Sequence, residues 1–454
     1  MNLNNKKILV VGVGKSGIAA VRLLQQRGIP VKATDKYICK NTRILKNEGV
    51  EIEIGHMNSS FIDDVDCVII SPGVSDTCEV ITWARERKIP LISEIELAAH
   101  FLKAPLIAVT GTNGKTTTTS LITHIFNVNG IDAVSCGNIG YPLSTACIEH
   151  SQLDYYVCEL SSFQLERIHT FTPHISVLLN ITPDHGDRYE SVLEYQKAKL
   201  NMYQNQGSDQ WAVANIRCKE IVHPIVTRDR IKTFYFGLSR DSQADIFYEN
   251  DAIIMCVDGN ETVLCNREDI KIPGHHNVEN IMAALLCAYI GKVSTEGCRQ
   301  ALKTFYGVTH RLEYVDTLNG VRFINDSKST NIDSLSVAIE SFDMPIILIA
   351  GGRNKGGDFG VLGEAIKEKV SHIVCIGEAA DEIETSLNAF TNVEKQLTLK
   401  AAVNKSYEIA EAGSVVLLSP GCASFDMFSN FEQRGNEFKK YVKDIDGRIH
   451  HAER

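Results

Sequence analysis

An apolar run that breaks into a glycine loop and resumes as a helix constrains this chain more than any other feature. The run is Leu106–Thr118, LIAVTGTNGKTTT. Leu106 to Thr110 carry no charge and predict a buried strand, and the residues from Lys115 onward predict a helix. Between them Gly111 and Gly114 let the backbone close around an anion, with Thr112 and Asn113 completing the turn. Lys115 adds a positive charge, Thr116 or Thr117 offers a hydroxyl to a magnesium ion, and the new helix points its first N–H groups into the same space. This is the context a nucleotide phosphate loop needs. The long motif GxxxxGK[ST] has a glycine where this chain has Val109, so the match is to the shorter TGTNGKT. A glycine turn without a ligand is the bland alternative.

The same order of elements opens the chain. Lys7–Val13 predicts a strand that ends in Gly12-Val-Gly14-Lys15-Ser16-Gly17, and a helix follows to Arg27. Val31–Asp35 predicts a second strand closing on an acid, and Cys67–Ser71 another, followed by Ser71-Pro72-Gly73. Ligands of open parallel sheets bind at the carboxyl ends of the strands, which gathers Lys15, Ser16, Asp35, Lys36, Ser71, Pro72 and Gly73 around one diphosphate-bearing ligand. A nicotinamide cofactor, a UDP-linked substrate and a ligand-free scaffold all fit this pattern. The second nucleotide loop at Gly111 favours the UDP reading, because hydride transfer has no use for it.

In the middle of the chain, Asp132–Gly137 predicts a strand leading into Gly137-Asn138-Ile-Gly140, and Tyr155–Glu159 one that ends on a carboxylate. Magnesium takes one or two carboxylates, phosphate oxygens and water, so Glu159 beside a phosphate loop is a candidate ligand. His174–Ile181 predicts a strand running into Thr182-Pro-Asp-His185-Gly-Asp-Arg-Tyr189, and His185 is a candidate second ligand. Arg188–Asn205 predicts a helix carrying Lys197 and Lys199. A lysine near metal and phosphate can take up carbon dioxide as a carbamate, itself an anionic ligand. Trp211–Asn215 and Lys232–Gly237 predict strands and Asp251–Cys265 a hairpin. Asn277 and Asn280 precede a helix over Ile281–Ile290 and either contact a nucleotide or cap the helix.

Further along, Arg311 offers a fork of donors for phosphate. Predicted strands at Val321–Asn325, Pro345–Ala350, His372–Gly377 and Ser414–Ser419 imply another parallel sheet. Its strand ends carry Lys328, Thr330, Lys355 and Ser424, a set of cations and hydroxyls suited to a small dicarboxylate. A last helix runs from about Asn430 through Phe431 to Phe438.

Composition excludes several classes. A chain of 454 residues with net charge −10 and pI about 5.8 lacks the basic surface nucleic acid demands. No window is apolar for long enough to cross a bilayer, and MNLNNKKILVVGVG enters a strand without a signal-peptide pattern. The 13 cysteines include no CxxC pair, and many sit in apolar runs, as expected of reduced core thiols in the cytoplasm. A monomer is expected.

Together TGTNGKTT, GNIG, ELSSFQLE, DHGDRY, KAKL, HHNVEN, THRLE, NDSKSTN, GGRNKGGDF and SPGCASFDMFSNFEQRGNEF resemble the Mur ligase family, from Gly12 to Phe438. The resemblance implies an α/β protein of three domains: a Rossmann-like one for a UDP-linked substrate (1–93), a P-loop ATPase-like one with a parallel sheet (94–307), and a Rossmann-like one for the amino acid (308–454). The implied activity is ADP-forming ligation of D-glutamate to UDP-N-acetylmuramoyl-L-alanine through an acyl phosphate. By that likeness Lys115 and Thr116 handle ATP phosphates, and Asn277, Arg311 and Asp326 contact ATP. Glu159, His185 and Thr116 bind magnesium, joined by a carbamylated Lys199. Asn138 lies near the reacting end of the uridine substrate. Thr330, Lys355, Ser424 and Phe431 surround D-glutamate, with Lys328 near the reacting groups. Gly186, Asn354 and Gly421 depart from the family pattern, Asn354 standing where an acid is usual before Lys355. A sister ligase for a diamino acid would carry Asp-Asn-Pro in the third domain, and this chain has none. A folylpolyglutamate synthase and a non-catalytic nucleotide sensor share the ATP loop.

Overall fold

The computed structural model describes residues 3, 5–55, 58–182, 188–189, 191–240, 243–272 and 274–452. The chain forms two compact units, Met1–Asp269 with Val278–Leu302, and Ile270–Asn277 with Lys303–Arg454.

The first unit holds two sheets. The smaller is wholly parallel and contains β1 (Ile8–Val11), β2 (Val31–Asp35), β3 (Glu51–Ile54), β4 (Cys67–Ile70) and β5 (Leu91–Ser93), ordered β3-β2-β1-β4-β5. This is a doubly wound order whose reversal falls between β1 and β4, so a crevice opens at their carboxyl ends. Register sets Val11 beside both Thr34 and Ile70, which puts Gly12, Asp35 and Ser71 at one edge. The period-2 rule is visible in β1: Ile8 and Val10 face one core, Leu9 and Val11 the other. The strands β3 and β5 were not expected from the sequence.

The larger sheet contains β6 (Leu106–Thr110), β7 (Ala133–Gly137), β8 (Tyr155–Glu159), β9 (Ile175–Leu178), β10 (Trp211–Asn215), β11 (Lys232–Gly237), β12 (Ile246–Glu249), β13 (Ala252–Val257) and β14 (Asn260–Asn266). Its order is β14-β13-β12-β11-β10-β9-β6-β8-β7. The pairings from β7 to β12 are parallel, and the β13–β14 hairpin continues the sheet antiparallel at one edge. β6 lies between β8 and β9, with Val109 beside Glu159 and Thr110 beside Leu178. All five β6 residues are buried, as a strand covered on both faces requires. One apolar cluster runs without interruption from Ile8 and Val10 to Leu106, Cys136 and Tyr203.

The second unit contains β15 (Glu313–Leu318), β16 (Val321–Asn325), β17 (Ile346–Gly351), β18 (Val370–Ile376), β19 (Asn392–Lys395) and β20 (Val415–Leu418), ordered β15-β16-β20-β17-β18-β19. Apart from the antiparallel β15–β16 pair it is parallel. Ile346, Leu348 and Ala350 point into one core, Ile347 and Ile349 into the other. The last strand in sequence, β20, lies between β16 and β17, so Asp326, Ser419 and Gly351 end at neighbouring positions.

Three helices differ from the sequence reading. The helix expected over Arg188–Asn205 is Val192–Leu200 followed by a 3₁₀ turn at Asn201–Tyr203, and Ser191 caps it by accepting from the Glu194 amide. The helix expected to begin at Ile281 begins at His275, so Asn277 and Asn280 lie inside its first turns. The last helix runs on to Ala452. Among the described residues, no helix is long and apolar enough to cross a membrane. The 13 cysteines are free, most of them buried, and burial pushes the Cys67 and Cys375 thiols up to about 12.

Candidate active site

Strand, glycine loop and helix follow one another here as the sequence predicts. The helix after the loop, Lys115–Val128, starts with four threonines in a row after Lys115, which are poor helix formers. Burial of Thr116–Thr119, Leu121, Ile122, Ile125 and Phe126 offsets that weakness. Gly114 precedes the helix with φ +84° and brings no capping side chain. A Cβ there would come within 2.2 Å of Asn280 Oδ1, so both the turn and the approach of Asn280 require glycine. Asn280 Oδ1 also accepts from Thr118 Oγ1 at 3.3 Å.

Lys115 lies back over its own loop, donating to the Gly111 and Thr112 carbonyls at 3.0 and 2.7 Å. Lys199 is almost wholly buried and donates to the Gly111 carbonyl at 2.9 Å. Its ammonium sits 4.4 Å from the centre of the Tyr195 ring, and Tyr195 in turn bonds Thr112 Oγ1 at 3.2 Å. The structure therefore brings Lys199 onto the glycine loop from 88 residues further along the chain.

Glu159 closes β8 beside this loop and is buried. Its Oε1 accepts from Asn138 Nδ2 at 3.0 Å, and the Asn138 amide donates to the Glu159 carbonyl at 2.9 Å. Its Oε2 has no partner among the described residues. A buried carboxylate oxygen left unpaired costs free energy unless a cation or water meets it. With the Thr116 hydroxyl, the donors are hard oxygens, which suits magnesium. Among the described residues no group of three or more His, Cys, Asp or Glu forms a protein-only metal cage. Magnesium does not need one, since phosphate and water complete its shell. His185 lies outside the described residues.

At the edge of the first sheet, Asp35 accepts from the Val13 and Tyr37 amides at 2.7 and 3.0 Å. It braces the glycine loop. Ser71 is likewise turned to structure, donating to the Gly12 carbonyl at 2.6 Å. Gly17 is fixed by close approach, since a Cβ there would lie 1.9 Å from the Gly12 carbonyl oxygen. Lys15, Lys36 and Gly73 are exposed, Ser16 and Pro72 half-buried. Lys15 reaches toward the central loop: its Nζ stands 4.0 Å from where a Cβ on Gly140 would be, two residues past Asn138. Asp76, five residues past Ser71, pairs with Arg167 and with Arg188, the latter at 3.4 Å. Arg188 also holds Glu166 at 2.7 Å and lies over the Phe163 ring.

In the second unit, Asp326 is buried at the end of β16. Its two oxygens accept from the Leu312 amide at 3.1 Å and from Ser419 Oγ at 2.9 Å. Burial pushes this carboxyl up to about 6, against the pull of the Arg311 guanidinium. Arg311 Nε is buried without a partner among the described residues. Lys328 and Thr330 are half-buried, Ser424 buried, Phe431 half-buried and Lys355 exposed. Asn354 donates to Glu382 at 2.8 Å and exchanges bonds with Gly357, so the amide shapes the turn that carries Lys355. Arg434 was missed in the sequence reading. Wholly buried, it donates to Ser327 Oγ and to the carbonyls of Ser327, Gly351 and Cys422 at 2.9–3.4 Å, tying together the loops after β16, β17 and β20. Burial lowers its pKa to about 10.

Asp326 gives a pH prediction. Unfolded, an aspartate titrates near pH 4, roughly two units below its folded value. Between those values the fold still holds a proton that the unfolded chain has lost. The stability this contributes is therefore present below about pH 4 and gone by about pH 6, a fall of about 3 kcal/mol. Urea unfolding of the wild type and of Asp326→Asn should show a stability difference that changes by that amount across the window. A pH-independent difference contradicts the assignment.

Comparison with known proteins decides the family. The Mur ligase MurD-like N-terminal domain matches residues 6–93, the Mur ligase middle domain 109–288, and the Mur ligase glutamate ligase domain 310–422. The chain belongs to the Mur ligase family. Among Mur ligases, it is 40% identical over 453 residues to the UDP-N-acetylmuramoylalanine–D-glutamate ligase of Thermoanaerobacter pseudethanolicus, covering 98% of this chain and 100% of that one. The enzyme of the same name from Geotalea uraniireducens is 41% identical over 451 residues, covering 98% and 99%. Solved Mur ligases share the fold at low identity. The UDP-N-acetylmuramate-alanine ligase of Thermotoga maritima superposes with a TM-score of 0.60 at 19% identity, over 97% of this chain and 100% of that one. MurF ligase of the same organism, in complex with ADP, gives 0.61 at 15%, over 98% and 97%. Mur ligases use ATP and magnesium, in keeping with the loop at Gly111 and the carboxylate at Glu159.

Proposed function

We infer that this Mur ligase joins D-glutamate to UDP-N-acetylmuramoyl-L-alanine with ATP, releasing ADP and phosphate, in the cytoplasmic synthesis of peptidoglycan precursor. The observation that carries the ATP chemistry is the junction of the Gly111–Lys115 loop with the Glu159 oxygen that has no partner among the described residues. The amino acid and the sugar-linked acceptor come from relatives that match along nearly the whole chain. We assign 1–93 to the UDP-linked substrate, 94–307 to ATP and 308–454 to the amino acid. The enzyme acts as a monomer.

The reaction starts when a carboxylate oxygen of the substrate attacks the γ-phosphorus of ATP and the bond to ADP breaks, leaving an acyl phosphate. The amine of D-glutamate then attacks the acyl carbon. Phosphate leaves as the amide forms, and the amine gives up a proton. Lys115 neutralises charge on the transferring phosphoryl group, and the backbone of Gly111–Gly114 orients it. Glu159, Thr116, His185 and a carbamate on Lys199 would hold magnesium, whose charge would neutralise phosphate oxygens further. Asn138 orients Glu159 and lies near the reacting end of the UDP-linked substrate. In the second unit Asn277, Arg311 and Asp326 serve ATP, while Thr330, Lys355, Ser424 and Phe431 receive D-glutamate, with Lys328 near its reacting groups. Lys15, Ser16, Asp35, Lys36 and Ser71–Gly73 serve the UDP moiety.

Phosphate release with ATP, UDP-N-acetylmuramoyl-L-alanine and a panel of amino acids tests the substrate assignment. D-glutamate should support turnover at least about a hundredfold above L-glutamate, L-lysine or meso-diaminopimelate, the scale of discrimination a site built on paired polar groups delivers. Release with a diamino acid and none with D-glutamate would overturn it.

A further inference from the structure

The segment that leaves β9 carries a residue that no motif singled out. Asn180 stands two positions past Leu178, the residue of β9 that pairs with Thr110 at the end of β6. That register sets Asn180 directly against the phosphate loop. Its side-chain Oδ1 accepts from two successive loop amides, Thr112 N at 3.0 Å and Asn113 N at 2.9 Å. Its Nδ2 donates to the Asn113 carbonyl at 3.2 Å. Its own carbonyl also accepts from Thr112 N at 3.0 Å. A Cβ on Gly111 would meet the Asn180 backbone N and O at 3.3 Å, so loop and segment approach as closely as a glycine permits. Two residues on, Thr182 exchanges both a donor and an acceptor bond with Thr112 Oγ1, at 3.0 and 3.1 Å.

Successive N–H groups turned to one point form an anion-binding concavity in glycine loops. Here the concavity made by Thr112 and Asn113 is already filled by an amide oxygen of the protein. The loop's curvature is therefore set before any nucleotide arrives, and the donors left for phosphate are those further along, at the start of the Lys115–Val128 helix. We propose that Asn180 is a positioning residue for nucleotide: its amide holds the Thr112–Asn113 turn in a preformed shape and so sets where Lys115 and the helix start present their donors. The proposal rests on reading the loop as the ATP site. Preforming a loop strengthens binding by removing the ordering cost from the binding step.

Three hydrogen bonds to one side chain make the substitutions informative. Asn180→Ala loses all three. Asn180→Leu loses them too while keeping the bulk of the side chain and adding no charge. Binding of a non-hydrolysable ATP analogue with magnesium, measured by calorimetry, should weaken at least tenfold in both variants. The KM for ATP should rise in parallel, while the KM values for the UDP-linked substrate and D-glutamate stay within about twofold. Thermal melting separates a variant that fails to fold, and if Asn180→Ala does fail, Asn180→Leu carries the test. Wild-type protein that binds no nucleotide defeats the ATP reading itself. Wild-type binding with either folded variant unchanged, or a loss spread equally over all three substrates, overturns the role given to Asn180.

Discussion

Replacing Lys115 by alanine lowers kcat by at least about a thousandfold, the scale on which a transition-state donor is lost. The fold should survive. Lys115 Nζ donates to the Gly111 and Thr112 carbonyls at 3.0 and 2.7 Å, and the residue is half-buried, so water can replace it at those oxygens. A net cost of roughly 1 kcal/mol to stability is expected. The split between intact folding and absent turnover is the informative outcome. Charge builds on the phosphoryl group as the bond to ADP breaks, and a cation fixed at the loop interacts most strongly at that moment. Nucleotide binding should therefore weaken far less than turnover. Ordinary phosphate release by a well-folded Lys115→Ala enzyme would remove the loop from the chemistry.

The second large effect is at Lys199. Its ammonium is buried on the Gly111 carbonyl, beneath the Tyr195 ring. Burying a charge is costly, and a carbamate bound to magnesium would offset that cost better than a bare ammonium does. Lys199→Ala should lose at least about a hundredfold in kcat, comparable to the upper range seen when the support of a bound metal is removed. A short carboxylic acid such as formate should restore part of the rate, because it returns an anionic oxygen to the vacated space. Labelled carbon dioxide should add a carbamate carbon resonance to the wild type that the variant lacks. An active variant, or an inactive one that no acid rescues and a wild type without the resonance, would deny Lys199 this role.

How much of this was legible beforehand depends on which physical signal each residue carries. β6 and the Gly111 loop were readable because a continuous apolar run, a glycine pair and a lysine each restrict the chain in the same direction. β17 and β20 were readable for the same reason, being buried on both faces. β19, Asn392–Lys395, was not: it is a short edge strand with mostly exposed polar residues, and only pairing with β18 makes it a strand. The start of the Val192–Leu200 helix could have been found, since Ser191 and Glu194 form a helix-start pattern three residues apart. Asp35 was read for its charge, whereas the fold uses that charge to hold the Val13 and Tyr37 amides. Arg434 and Asn180 carried no local signal at all. Their roles arise from strand order, which sets Ser327, Gly351 and Cys422 around one guanidinium and sets β9 beside β6. A single sequence does not encode strand order in any local pattern.

The central claim is that ATP makes a carboxylate reactive by phosphorylating it. Its most direct test uses UDP-N-acetylmuramoyl-L-alanine with ¹⁸O in the alanine carboxylate, together with ATP, magnesium and D-glutamate, and mass analysis of the phosphate released. Attack of the carboxylate on the γ-phosphorus, followed by departure of phosphate from the acyl carbon, carries one labelled oxygen into each phosphate. Phosphate that emerges unlabelled, alongside the amide product, would contradict the account.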